Sequence, residues 1–190
     1  MAVKPAVNEQ DPRVRRTRKL LLDTFAELLG EKSFDAITVQ DIADRSTINR
    51  ATFYAHYTDK FDLFDHFARE WFRKALAASL PADAGLSRDN MRRLALTTMN
   101  GMAELQDHCR PTESMRPLLM AAVQEEIAAL LARWLSSTGQ LPTSVVGASW
   151  AIFGAALTWS QSDPRPPADA TAAQIAAFAT DALGGVAAAA

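Results

Sequence analysis

The segment Thr38 to Leu63, TVQDIADRSTINRATFYAHYTDKFDL, constrains this chain more than any other stretch. Its punctuation predicts two short helices joined by a tight turn, then the start of a third. Thr38 is a capping residue whose hydroxyl can accept from a first-turn N–H. Asp41, three residues on, adds negative charge near the helix N-terminus. Val39, Ile42 and Ala43 recur at i, i+3 and i+4, so one face of this helix is apolar. The helix is expected to end near Arg45 and Ser46. Asn49, another capping residue, opens the second helix. Ile48, Phe53 and Tyr57 have the spacing to anchor it to a core, and Ala51 is small where helices would cross. Asn49, Arg50 and Thr52 are then left pointing outward, flanked by Tyr54 and His56. Lys60 opens the next helix after the Thr58-Asp59 cap signal.

Side chains of these types suit nucleic acid. Arg can be bidentate to guanine and Asn to adenine, whereas Lys and Tyr suit phosphate. A helix carrying them together fits the geometry of one laid in a major groove. Taken singly, each is ordinary surface. Taken as a set, they make double-stranded DNA the expected partner, against the alternative of a helical hairpin with a solvated polar face.

The run Thr52-Phe53-Tyr54-Ala55-His56-Tyr57, followed by Asp59-Lys60, resembles the recognition segment of the TetR family of transcriptional regulators. The chain departs from that pattern at Thr47 and Ala51, where the family often has Gly. The resemblance covers about residues 13–65. It implies that Tyr54, His56 and Lys60 hold phosphates, as does the N-terminus of the helix starting at Thr38. Asn49, Arg50 and Thr52 would lie nearest the bases. Arg16, Thr47 and Tyr57 complete the candidate DNA-facing set. The resemblance further implies a twofold dimer, a palindromic operator, and a small-molecule effector that moves the fourth helix and respaces the recognition helices.

Charge agrees locally but not globally. The whole chain carries −2. Residues 1–80 hold 13 Lys and Arg against 12 Asp and Glu, and residues 81–190 hold 7 against 10. Arg13, Arg15, Arg16, Arg18 and Lys19 fall within seven residues at the start of a helix, where they oppose its dipole. Phosphate contact explains that placement, and so does a solvated arm.

The rest of the chain reads as all-α. Hydrophobic residues make up 48% of 190, enough for a real core and one or two domains. Residues 1–12, with Pro5 and Pro12, are expected to form a mobile arm. A first helix over 13–31 carries Leu20, Leu21, Phe25, Leu28 and Leu29. The helix-turn-helix domain is placed at 13–58, a connecting helix at 59–79, and a helical effector-binding and dimerisation domain at 80–190. The later helices are expected over 88–107, 112–138 (broken near Pro117), 143–161 and 170–184. The longest apolar stretch, Val145 to Trp159, is shorter than the roughly 20 residues of a spanning helix. With one cysteine, Cys109, and a polar N-terminus, the reading is a cytoplasmic chain without a membrane segment.

Small residues Gly147, Ala151, Gly154, Ala155 and Thr158 line the 143–161 helix and let a partner approach closely. With Ile175, Phe178 and Ala182 of the last helix they are the candidate homodimer interface, against the alternative of an intramolecular core. A dimer also doubles the short site that one recognition helix can read. Met91, Met99, Met102, Met115 and Met120, with Trp71, His108 and Trp150, are candidates for an effector pocket, because Met adapts to irregular cavities. Ordinary core packing is the stronger explanation for any one of them, and the pocket itself rests mainly on the resemblance. No histidine stands at metal-ligand spacing, and no Gly-rich phosphate loop is present, so neither a cofactor nor an enzyme is expected. The sequence therefore predicts a dimeric, ligand-responsive repressor. Its alternative is a helical interaction protein or coactivator working through a protein partner.

Overall fold

The computed structural model describes residues 10–109, 112–136 and 142–187. Among them are eight α-helices and no strand. The chain divides into two compact units. The first holds the residues up to Phe67 together with Thr112–Leu118; the second holds Ala68–Pro111 and Leu119 onward. The division thus falls inside the predicted connecting helix, and a short piece of later chain joins the first unit.

In the first unit, α1 (Pro12–Glu31) starts at Asp11, whose carboxylate accepts from the Arg13 N–H at 2.8 Å. Pro12 occupies the first helical position, where its missing N–H costs nothing. Leu21, Thr24, Phe25 and Leu28 are buried at i, i+3, i+4 and i+7. A 3₁₀ turn (Phe34–Ala36) leads to α2 (Val39–Ser46), α3 (Arg50–His56) and the first turns of α4 (Lys60–Ser79). The core is aromatic. Phe25 meets Phe34, Phe64 and Phe67 edge-on at 6.2, 6.4 and 5.7 Å, and Phe34 meets Phe61 and Phe64 at 5.3 Å. Such pairs add about 0.5–1.5 kcal/mol each beyond their area burial.

In the second unit, α5 (Arg88–Glu104), α7 (Thr143–Ser160) and α8 (Ala168–Ala187) pack pairwise, beside the later parts of α4 and α6 (Met115–Trp134). Ala172, Ala176, Ala179 and Leu183 form the buried stripe of α8, and Val145, Ala148, Ile152, Phe153 and Ala156 that of α7. Gly101 is needed where α4 and α5 cross, because a Cβ there would stand 2.9 Å from the Trp71 ring. The predicted break near Pro117 does not occur. Pro117 is the third residue of α6, within the first turn, where no N–H is required for the ladder. A π turn (Leu105–Cys109) follows α5. Asp107 on it takes both arms of Arg165 at 2.7 Å, which fastens the proline-rich α7–α8 linker. No helix among the described residues is long and apolar enough to cross a membrane.

Candidate nucleic-acid interface

The two short helices of the first unit are fixed at their ends. Thr38 and Asp41 form a reciprocal capping box on α2: the Thr38 hydroxyl accepts from the Asp41 N–H at 3.1 Å, and the Asp41 carboxylate accepts from the Thr38 N–H at 2.8 Å. The Lys32 ammonium, 2.8 Å away, and then the Thr38 hydroxyl and N–H hold the Asp41 carboxyl well below the usual carboxylate range. The N-terminus of α2, read as a phosphate seat, therefore already holds a carboxylate, and the Thr38 hydroxyl donates to it at 2.7 Å.

α2 ends in a paired closure. The Ile48 N–H donates to Ala43 O at 3.1 Å and the Thr47 N–H to Asp44 O at 3.2 Å, a Schellman arrangement with Thr47 in the left-handed region at φ 55°. That conformation favours glycine, and a β-branched residue in it is strained. Here the sequence departs from the family pattern, and the turn geometry survives. Arg45 then ties α2 to the end of α1 through a two-armed pair with Glu31 at 2.9 and 2.7 Å. The Arg45 contact lowers the Glu31 pKa in turn.

Helix α3 buries Phe53 and Tyr57 and exposes Asn49, Arg50, Ala51, Tyr54 and Ala55, with Thr52 and His56 half-buried on its flank. Asn49 is its N-cap: the side-chain oxygen accepts from the Ala51 N–H at 2.8 Å. Arg50 and Tyr54, one turn apart, form a unit on the outer face. The guanidinium carbon lies 5.9 Å from the Tyr54 ring centroid, and a terminal nitrogen lies 3.5 Å from the phenol oxygen.

Two of the predicted DNA-facing residues have other work. Tyr57 has no exposed surface and packs on Phe53 at 5.9 Å and His66 at 5.2 Å, so its ring is a core anchor and not a DNA contact. Lys60 donates to three backbone carbonyls, Phe34 O at 3.0 Å, Asp35 O at 3.1 Å and Ile37 O at 2.8 Å, with its ammonium 4.7 Å from the Phe34 ring centroid. An ammonium has three donors. Lys60 thus clamps the 3₁₀ turn instead of presenting its charge to phosphate. Arg16 is exposed on α1 and makes no ion pair among the described residues, whereas Lys19 is paired with Asp23. The sequence reading missed Lys32, Glu31 and the clamp. Their partners lie apart along the chain, 14 residues away for Glu31 and up to 26 for Lys60, and only the chain's return brings them together.

The second-unit candidates separate into two groups. Met91, Met99 and Met102 are buried on α5, and Trp71 and Met120 are half-buried. Met115 belongs to the first unit, and the His108 side chain lies outside the described residues. Trp150 lines no interior: it is 51% exposed and stands on the outer stripe of α7 with Val146, Gly147 and Thr158. On α8, Phe178 is 64% exposed, with Ala182 one turn on. Ala151, Gly154 and Ala155 are half-buried, and Ile175 faces the protomer's own core. A Cβ added at Gly147 or Gly154 would meet nothing within 4 Å, so these glycines do not serve packing inside the protomer.

One open cleft among the described residues lies away from these candidates. A cleft of about 720 Å³ runs between the end of α4 (Arg73, Leu76, Leu80), the following loop and the end of α6 (Leu130, Arg133, Trp134). Arg73 and Glu126 pair within it at 2.8 and 2.6 Å. Spacings of 73, 76 and 80 and of 126, 130 and 133 were visible in the sequence. Nothing in the sequence marked the two faces as neighbours.

Comparison with known proteins follows this division. Residues 21–67 match the family described as bacterial regulatory proteins, tetR family. Two HTH-type transcriptional regulators of Bacillus subtilis (strain 168), both uncharacterized, are similar over the same region. YxbF is 48% identical over 54 residues, 28% of this chain and 14% of that protein; YdeS is 43% identical over 49 residues, 26% of this chain and 25% of that protein. The match therefore spans a quarter or less of these curated relatives. Solved structures share the fold over nearly the whole chain. A TetR-family regulator from Streptomyces coelicolor A3 has a TM-score of 0.60 at 18% identity, covering 93% of this chain and 99% of its own. RolR, solved with resorcinol, has 0.55 at 17%, covering 90% and 94%. A TetR variant from Acinetobacter baumannii AYE, solved with minocycline, has 0.51 at 22%, covering 88% and 94%. Through its capped helix-turn-helix segment, residues 21–67, the chain matches the tetR family of bacterial regulatory proteins.

Proposed function

We propose that the protein is a homodimeric transcriptional repressor that binds a twofold-symmetric DNA site and leaves it when a small molecule binds the second unit. The observation that carries the reading is the Arg50–Tyr54 face of α3, exposed on a helix whose core side and both ends are fixed. Such a face can enter a major groove without reorganising. Arg16, exposed on α1 and without an ion pair among the described residues, supplies phosphate attraction alongside.

The dimer surface is the outer stripe of α7 and α8, where Val146, Trp150 and Phe178 stand exposed. An exposed Trp and Phe beside glycines that pack on nothing suit a second copy of the same stripe, and a twofold interface is self-complementary. The effector seat is the cleft at the ends of α4 and α6, which is open and carries the Arg73–Glu126 pair. Resorcinol and minocycline bound in two proteins of the same fold support a small organic molecule as the effector. To release DNA, the effector must prefer the DNA-incompetent state.

Fluorescence anisotropy with DNA from upstream of the protein's own gene tests the reading, with random DNA as control at two salt concentrations. A preference of roughly a thousandfold supports specific binding. Equal affinity for both at either salt overturns it and favours a coactivator working through a protein partner.

A further inference from the structure

We propose that base recognition by α3 is carried by Arg50 with Ala51 and Ala55, so that each half-site of the operator presents a guanine beside a thymine. This rests on the reading of α3 as the helix that enters the major groove.

The assignment follows from what each exposed side chain of α3 still has to offer. Reading adenine takes an amide that presents oxygen and nitrogen together to the base edge. The Asn49 oxygen accepts the Ala51 N–H at 2.8 Å, which fixes that amide against the first turn. Reading cytosine takes a carboxylate. The helix RATFYAH carries none. Lys60 has its three donors on the carbonyls of Phe34, Asp35 and Ile37. Tyr57 is buried. Arg50 is left, and its planar fork matches the N7 and O6 acceptors of guanine.

Tyr54 orients that fork without neutralising it. The guanidinium carbon stands 5.9 Å from the ring centroid, and only one terminal nitrogen approaches the phenol oxygen. The other donors stay available to a base edge. Ala51 and Ala55, one turn apart, expose methyl groups on the same outer surface. An apolar methyl in the major groove finds one complementary partner, the thymine C5 methyl.

The test is selection from random-sequence DNA with the full-length protein, followed by anisotropy on the selected duplex and on two modified copies. Replacing the selected guanine by 7-deazaguanine removes one acceptor of the bidentate pair and is expected to weaken binding about tenfold. Replacing the neighbouring thymine by uracil removes one methyl and is expected to weaken it about fourfold. In Arg50→Ala the 7-deaza effect disappears, because its partner is gone. Asn49→Ser keeps the cap and leaves the preferred bases unchanged. A half-site without guanine, an undiminished affinity for the 7-deaza duplex, or a changed base preference in Asn49→Ser overturns the assignment while leaving DNA binding intact. Selection that enriches no sequence overturns the underlying reading, and the assignment with it.

Discussion

The first unit is held at its helix ends and the second by its helix faces. In the first, the short helices α2 and α3 depend on the Thr38–Asp41 box, the Thr47 closure, the Asn49 cap and the Lys60 clamp, all set around a cluster of five phenylalanines. In the second, helices of 17 to 20 residues meet through long apolar faces rich in alanine, methionine and valine, and polar pairs such as Arg73–Glu126 and Arg92–Asp169 join side chains along those helices instead of capping their ends. The lesson is one of directionality. Hydrogen-bonded caps fix where a helix begins and which way it points, which an interface presenting Arg50 needs. Apolar faces fix only that something must cover them.

The largest effect should come from the core of the first unit. Phe25 is fully buried and meets three other rings. Phe25→Ala should cost about 3–5 kcal/mol. The aromatic residues report the units separately. Both tyrosines, Tyr54 and Tyr57, lie in the first unit, and all four tryptophans, Trp71, Trp134, Trp150 and Trp159, lie in the second. In urea, the near-ultraviolet tyrosine signal should lose its midpoint while tryptophan fluorescence keeps its own. Coincident shifts would break the comparison by showing that the two units unfold as one.

Next comes the ion pair in the cleft. Glu126 has a side chain only 11% exposed, and Arg73 covers it with two hydrogen bonds. Arg73→Ala leaves that carboxylate with the longer contact to Arg69 at 3.6 Å and should cost about 1–3 kcal/mol, read by tryptophan fluorescence. Adding Glu126→Gln should restore part of the loss, since a neutral amide tolerates burial better than a carboxylate. No recovery in the double variant would mean that the pair is solvated and that α4 and α6 are joined by their apolar residues alone.

This contrast explains what could be read from the chain. The caps at Thr38, Asn49 and Asp59 are local, because each partner lies within a few residues, and all three are where the sequence puts them. The apolar spacing of α1 was equally plain. The Lys60 clamp and the Lys32–Asp41 pair join residues distant in sequence, so residue type alone suggested phosphate for Lys60. Trp150 failed for a different reason. A large apolar residue looks the same whether it lines an interior or stands on an outer stripe, and only the packing of α5 and α8 against the other sides of α7 decides between them.

A smaller effect should come from the turn between α2 and α3. Thr47 holds φ 55° with a branched side chain. Relief of that strain gains about 1–2 kcal/mol, and glycine gives back about 0.5–1 kcal/mol through its greater freedom in the unfolded chain. Thr47→Gly should therefore raise the tyrosine-detected midpoint by the equivalent of about 1 kcal/mol. It should leave the tryptophan midpoint alone. Destabilisation instead would show that the Thr47 hydroxyl, which donates to Ser46 O at 2.7 Å, matters more than the strain.

The smallest effect concerns the capping box and sharpens the idea that end contacts hold the first unit. The Asp41 carboxyl is depressed by Lys32 and Thr38 in the folded chain. In the unfolded chain it returns to about 3.9. A group depressed on folding contributes stability above its unfolded pKa and loses it as pH falls toward the folded value. The tyrosine-detected midpoint should therefore begin to drop below about pH 4 and continue downward. Glu31, lowered by Arg45, acts in the same direction, so wild type alone does not isolate Asp41. Asp41→Asn does: it keeps an acceptor for the Thr38 N–H and removes the titration. The variant should start from a lower midpoint at pH 6 and fall less steeply. Parallel curves would mean that the half-buried Lys32 pair is screened by water and that the cap works through its hydrogen bonds alone.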